Sequence, residues 1–136
     1  MPSLTLRTIG VVRSPLTDRA DAPKQGPEGG PDAWLEFDED LLPALRSVEP
    51  GDTLMLLTWF DRADRDVLEV RPRGNPDNAL TGVFSTRSPD RPNPIGLHPV
   101  TVLAVDGARV QVSDLEALDG TPIVDVKSAS AGPGLR

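Results

Sequence analysis

Hydrophobic and polar positions in this chain alternate over short stretches, and nearly every stretch ends at a cluster of Pro, Gly, Asp or Asn. That pattern predicts brief strands joined by tight turns. Thr5 to Val12, rich in Thr, Ile, Val and Leu, reads as a first strand closed by Ser14-Pro15. From Asp18 to Asp32 the breakers Pro23, Gly26, Pro27, Gly29, Gly30 and Pro31 rule out either periodicity and make a loop. Ala33 to Phe37 is a second strand, after which Asp38 or Asp40 is placed to cap a short helix over Leu41 to Val48, with Pro43 tolerable only in its first turn. The apolar run Thr53 to Phe60 has strand length and predicts a central strand buried on both faces. Val67 to Val70 is a further strand, stopped by Arg71-Pro72. Asp106-Gly107, between His98 to Val105 and Ala108 to Val112, is the turn of a hairpin. Ile123 to Val126 alternates as a last strand before a tail of small residues, Ser128 to Arg136. Together these elements predict a mainly β fold: a small antiparallel β-barrel or curled sheet with short helical insertions.

The chain of 136 residues is expected to form one domain over 1–136. Its 12 glycines and 15 prolines imply many stiff loops without reaching the level at which disorder is the default. The absence of cysteine excludes disulfides and thiolate metal sites. His98 is the single histidine and lies beside Pro99, so it reads as a surface or packing residue, and no metal site is expected. No signal peptide is recognisable, and the longest apolar run, Leu54 to Leu57, is far too short to cross a bilayer. A cytoplasmic location without a membrane partner is the expectation. The formal net charge of −7 is an awkward balance for a protein that would grip a polyanion.

Gly82 to Leu103 carries the densest candidate chemistry: apolar ends of strand type enclose three prolines, two arginines, an asparagine and a glycine. Pro89, Pro92 and Pro94 restrict Ser88, Arg91 and Asn93 before any ligand arrives. Arg87 and Arg91 on such a frame offer forked donors suited to a carboxylate or phosphate, although the same composition also suits a turn whose arginines are merely solvated. No Gly-x-Gly-x-x-Gly follows a strand, so a nucleoside cofactor would have to be held by loops.

The string Phe84-Ser85-Thr86-Arg87-Ser88-Pro89-Asp90-Arg91-Pro92-Asn93-Pro94-Ile95-Gly96-Leu97 resembles the signature of the TsaA-like family, which includes the TrmO-type tRNA methyltransferases. The resemblance extends to Ile9 to Pro15, Pro23-Lys24-Gln25, Trp59-Phe60 and Leu118 to Lys127. It implies an S-adenosylmethionine enzyme on a small β-barrel, a homodimer, and N6-methylation of threonylcarbamoyl-adenosine beside the anticodon of tRNA, not of DNA. The family's cofactor positions fall on Pro23, Lys24, Gln25, Asp61, Arg62, Arg87, Leu97, Leu118, Asp119, Gly120 and Thr121. Two positions depart from the family pattern. Lys24 stands where arginine is usual, keeping the charge but losing bidentate geometry, and Asp61 stands where histidine is usual.

Methyl transfer from a sulfonium is an in-line displacement, and the protein's main task is to align the acceptor. An exocyclic adenine amine is a poor nucleophile, and a carboxylate accepting its hydrogen bond can later take its proton. Asp61, Asp119 and Asp125 are the catalytic candidates, with nothing in the sequence to choose between them. Arg73, Arg91 and Asn93 are the candidates for substrate contact. Two other readings stay open: a methyltransferase of a small-molecule acceptor, favoured by the acidic balance, and a cofactor-binding module without chemistry, favoured by Asp61 in place of histidine.

Overall fold

A computed structural model describes residues 2–24 and 26–129. Eight strands are present among them: β1 Gly10–Arg13, β2 Ala33–Phe37, β3 Thr53–Trp59, β4 Glu69–Val70, β5 Thr81–Gly82, β6 Ile95–Asp106, β7 Arg109–Val112 and β8 Pro122–Ser128. Six of them form a closed antiparallel ring in the order β1, β2, β7, β6, β3, β8. Closure is made by the pairs Gly10 with Ile123 and Val11 with Pro122, extended by Ile9 N–H to Ile123 O at 2.9 Å and Val12 N–H to Thr121 O at 2.9 Å. The remaining strands, β4 and β5, pair only with each other and stand apart from the ring. The β6–β7 hairpin turns on Gly107 and Ala108, with Gly107 at φ +59 as a tight connection requires.

Side chains alternate across each strand, so every second residue enters the barrel. The interior is filled by Val12, Leu35, Leu54, Leu56, Val100, Val102, Val110, Val112 and Ile123, with Leu115 and Ala117 closing it from the loop after β7. Burying one such aliphatic side chain contributes about 1.5–3 kcal/mol. The strand expected to be buried on both faces is not. On β3 only Leu54, Leu56 and Thr58 face inward and are buried, while Met55, Leu57 and Trp59 are half-covered on the outside. The strand is central by pairing, between β6 and β8, but a closed ring gives it one interior face.

Other expectations are also amended. The first strand begins at Gly10, not Thr5, because pairing with β2 runs only from Gly10 opposite Phe37 to Arg13 opposite Trp34. The expected helix is a 3-10 segment, Glu39–Leu45, and Asp38 at its start makes no side-chain cap bond. Pro43 lies inside it and supplies no N–H, which an α-helix would need for its next bond; the segment's ends close with three-residue bonds instead, such as Leu41 N–H to Asp38 O at 2.9 Å. No helix among the described residues is long and apolar enough to cross a membrane.

β1 and β2 lie close because Gly10 has no side chain: a Cβ there would sit 2.4 Å from the Glu36 carbonyl oxygen. That neighbour is backbone and cannot rotate away. Gly10→Ala is expected to cost about 1–3 kcal/mol, read as a lower urea midpoint at constant slope. An unchanged midpoint would show that β1 can shift without loss.

Candidate functional site

One end of the barrel carries a cleft of about 980 Å³ built from four loops and the start of β6. The interior is already filled, so loops are where a ligand can be held. Segment 19–26 supplies Arg19, Pro23, Lys24 and Gly26; the loop after β3 supplies Asp61 and Arg62; the loop after β4 supplies Arg71 and Arg73; and the stretch 85–91 supplies Arg87 and Arg91. Phe60, Gly96, Leu97, Glu116, Leu118 and Thr121 complete the lining. Seven of the chain's 14 basic residues line this cleft, against three of its 21 acidic ones. An acidic chain has therefore gathered local positive charge at one place.

Hydrogen bonds brace these loops against each other. Arg91 donates through Nη2 to Val83 O and Thr86 O, both at 2.6 Å, and through Nε to Ser88 O at 2.8 Å. Arg65 spans to the same loop, to Pro92 O at 2.7 Å and Asn93 Oδ1 at 3.0 Å, while stacking 5.1 Å from the Trp59 ring. Arg62 donates to Thr17 O at 2.9 Å. Asp90 holds three segments at once, accepting from both Arg19 terminal nitrogens at 3.1 and 3.2 Å and from the Asp64 N–H at 2.9 Å.

Sequence-derived candidates divide on this geometry. Pro23, Lys24, Asp61, Arg62, Arg87, Leu97, Leu118, Thr121, Arg73 and Arg91 line the cleft together. Asp119, Gly120, Asn93 and Asp125 do not line it: Asp119 accepts from the Ser14 N–H at 3.1 Å, and Asp125 accepts from the Val126 N–H at 2.9 Å and pairs with Lys127 at 3.4 Å. Gln25 lies outside the described residues. Arg91 is engaged by its own loop, and Arg73 is paired with Glu28. Among the cleft's cations, Lys24 and Arg87 have no hydrogen-bond or ion-pair partner among the described residues.

His98 and Glu116 form a pairing that the sequence reading missed. His98 points into the barrel with 1% exposure, its Nε2 2.7 Å from Thr58 Oγ1 and its Nδ1 against Glu116 Oε1, and Phe60 meets the ring edge-on with centroids 5.7 Å apart. A Cβ on Gly96 would come within 2.6 Å of Phe60, Thr58 and His98, so only glycine leaves room for this cluster. The available signal was parity. His98 shares its inward phase with Val100 and Val102, and Thr58 with Leu54 and Leu56, and a polar residue in such a phase requires a partner.

A small antiparallel barrel with a basic, loop-built cleft at one end defines a ligand-binding domain suited to an anionic or zwitterionic small molecule. The chain belongs to the tRNA-methyltransferase O N-terminal domain family, whose model it matches over residues 11–131. It is 43% identical over 131 residues to a probable S-adenosyl-L-methionine-binding protein of Archaeoglobus fulgidus, covering 96% of this chain but only 35% of that protein. A second Archaeoglobus fulgidus protein, named an S-adenosyl-L-methionine-binding protein, is 41% identical over 127 residues, covering 93% of this chain and 90% of the relative. Among solved structures, TrmO from Pseudomonas aeruginosa superposes with a TM-score of 0.74 at 28% identity, covering 99% of this chain and 61% of that one.

The Asp90 brace has a pH signature. Partial burial acts to raise its carboxyl, but the Arg19 hydrogen bonds, the Asp64 N–H and the Arg19 charge outweigh burial and hold it below the ordinary 3.8. A depressed carboxyl stabilises the fold above its unfolded value, and the contribution is lost as the pH falls through the folded value. Asp90 therefore contributes fully at neutral pH, by no more than about 1 kcal/mol because Arg19 is half exposed. Asp90→Asn is expected to lower the thermal midpoint at neutral pH and to match the parent protein near pH 2. An equal deficit at both would rule the ion pair out as the cause.

Proposed function

We propose that the cleft binds S-adenosylmethionine and that the protein is a methyltransferase whose acceptor is N6 of threonylcarbamoyl-adenosine beside the tRNA anticodon. The observation that carries this reading is the concentration of half the chain's Lys and Arg around one cleft of nucleoside size, in a chain with net charge −7. The relatives named as S-adenosyl-L-methionine-binding proteins and the likeness to TrmO support it.

The residues present fit the cofactor. Lys24 and Arg87, uncommitted to other partners, suit its carboxylate; Phe60, Leu97 and Leu118 offer an apolar wall for the adenine; Thr121 and the loop backbone offer polar contacts for the ribose. When bound, the cofactor supplies an activated methyl group. The chain's own part is alignment: Arg91 and Asp90 fix the loop that carries Arg87, so its backbone is set before the ligand arrives. Asp61, exposed in the cleft lining without a hydrogen-bonded partner among the described residues, is the aspartate we assign to accept a proton from the attacking amine.

The second reading, a small-molecule acceptor, is favoured by how few basic residues remain free for phosphate once Arg73 and Arg91 are committed. Incubation with labelled cofactor and bulk tRNA separates the readings. Label in tRNA is expected; label in another metabolite fraction favours the small acceptor, and cofactor binding without turnover favours a module without chemistry.

Arg87→Ala is expected to weaken S-adenosylmethionine binding tenfold or more in calorimetric titration, since a charge-assisted hydrogen bond contributes about 1.5–3 kcal/mol. Unchanged affinity would remove Arg87 from the site. A two-fold dimer is proposed as well, because the domain is small for a deep pocket and the outer face of β6 leaves Leu103 and Val105 about two-fifths exposed. Sedimentation at micromolar concentration should give twice the chain mass; monomer alone would refute it.

A further inference from the structure

The cleft also contains a carboxylate to which the proposed function gives no part. Glu116 Oε1 accepts from His98 Nδ1, while its Oε2 is buried and has no hydrogen-bond partner. His98 Nδ1–H donates to Glu116, and Nε2 shares a hydrogen bond with the Thr58 hydroxyl. Oε2 of Glu116 is left without a donor, an arrangement that is costly in a protein interior unless something else compensates it. The other two carboxylates of the cleft lining differ from it. Asp90 is tied to Arg19, and Asp61 is exposed to water.

The surroundings leave Oε2 of Glu116 out of contact with solvent. Gly26 closes over Oε2 so tightly that a Cβ there would lie 2.8 Å from it, and Phe60 and Leu118 are among the apolar cleft neighbours. A sulfonium has no N–H or O–H, so hydrogen bonding cannot recognise it; a negative potential can. We infer that Glu116 sets the charge preference of the cleft, favouring the cationic sulfonium form of the bound nucleoside over its uncharged thioether product. Methyl transfer leaves the bonding electron pair on sulfur and removes the positive charge, so the attraction to Glu116 ends when the reaction does. This inference rests on the cleft being an S-adenosylmethionine site.

Calorimetry on the whole chain tests it with three probes: S-adenosylmethionine, S-adenosylhomocysteine, and sinefungin, which carries an ammonium in place of the sulfonium. Glu116→Gln keeps the shape and the bond to His98 but removes the charge. The substitution is expected to weaken both cationic probes about tenfold and to leave the thioether within about twofold, the scale of one partly screened ion pair. Equal weakening of all three would mark Glu116 as merely structural and overturn the inference, as would no change in any. Should the variant not fold, the parent protein still decides: it must bind sinefungin more tightly than the thioether, and equal affinities overturn the proposal. A parent protein that binds none of the three refutes the cofactor reading instead, which separates the two failures.

Discussion

Closure of six short strands into a ring governs both the core and the placement of the cleft. A ring of this size has an interior just wide enough for its own side chains, and here Leu35, Leu56, Val102, Val112 and Ile123 fill it with essentially no exposure. No ligand can enter, so any site has to be assembled from the connections at an open end. The same closure gives each strand a strict inside and outside, which explains why an inward histidine at position 98 had to find Thr58 and Glu116 rather than water. The barrel thus passes a constraint from its core to the cleft, through a bonded chain that ends on a cleft-lining carboxylate.

Loops rich in proline face a particular shortage, because each proline keeps its carbonyl acceptor while removing an N–H donor. Guanidinium groups and amides from other segments make up the deficit. Arg65 donates to Pro92 O, the Phe60 N–H to Pro94 O at 2.8 Å, and the Leu115 N–H to Pro31 O at 2.9 Å. Because the donors come from distant segments, supplying them also ties the loops together. Rigidity of the cleft is therefore a consequence of composition: stiff residues without donors next to arginines with several. The cleft's own arginines are taken up by other acceptors, Arg19 by Asp90, Arg62 by Thr17 O, Arg71 by Asn78 O, Arg73 by Glu28 and Arg91 by Val83 and Thr86 O, which is why a cleft lined by seven basic residues presents so few free cations.

What was legible in the sequence was local. Ala33 to Phe37 is a strand over just those residues, and the hairpin expected at Asp106-Gly107 is present one residue later, turning on Gly107 and Ala108 with Asp106 paired to Arg109. Pro43 signalled trouble for a helix from its own chemistry, though the outcome, a 3-10 segment, depends on where it falls in the turn. Non-local facts were not legible. Arg87 and Arg91 carry the same guanidinium, four residues apart, and only the folded loop assigns one to carbonyls and leaves the other to solvent. Glu116 stands in Asp114-Leu115-Glu116-Ala117 with no local feature to mark it; its role depends on a histidine 18 residues earlier.

The charges of the cleft lie at two depths, and depth decides what each can do. Lys24 and Arg87 are exposed, so their attraction to an anionic group is diluted by water and weakens as salt rises over a Debye length of roughly 8 Å at physiological strength. Glu116 sits beneath Gly26 with one oxygen out of contact with solvent, so salt screens it less than the cations of the rim. Cations at the rim can therefore gather a zwitterionic nucleoside and orient its carboxylate outward. The buried anion acts only on the portion that reaches the floor, and ionic strength weakens its effect less. A net charge of −7 is compatible with such a site because recognition depends on which few charges are left unpaired, and at which depth, more than on their sum.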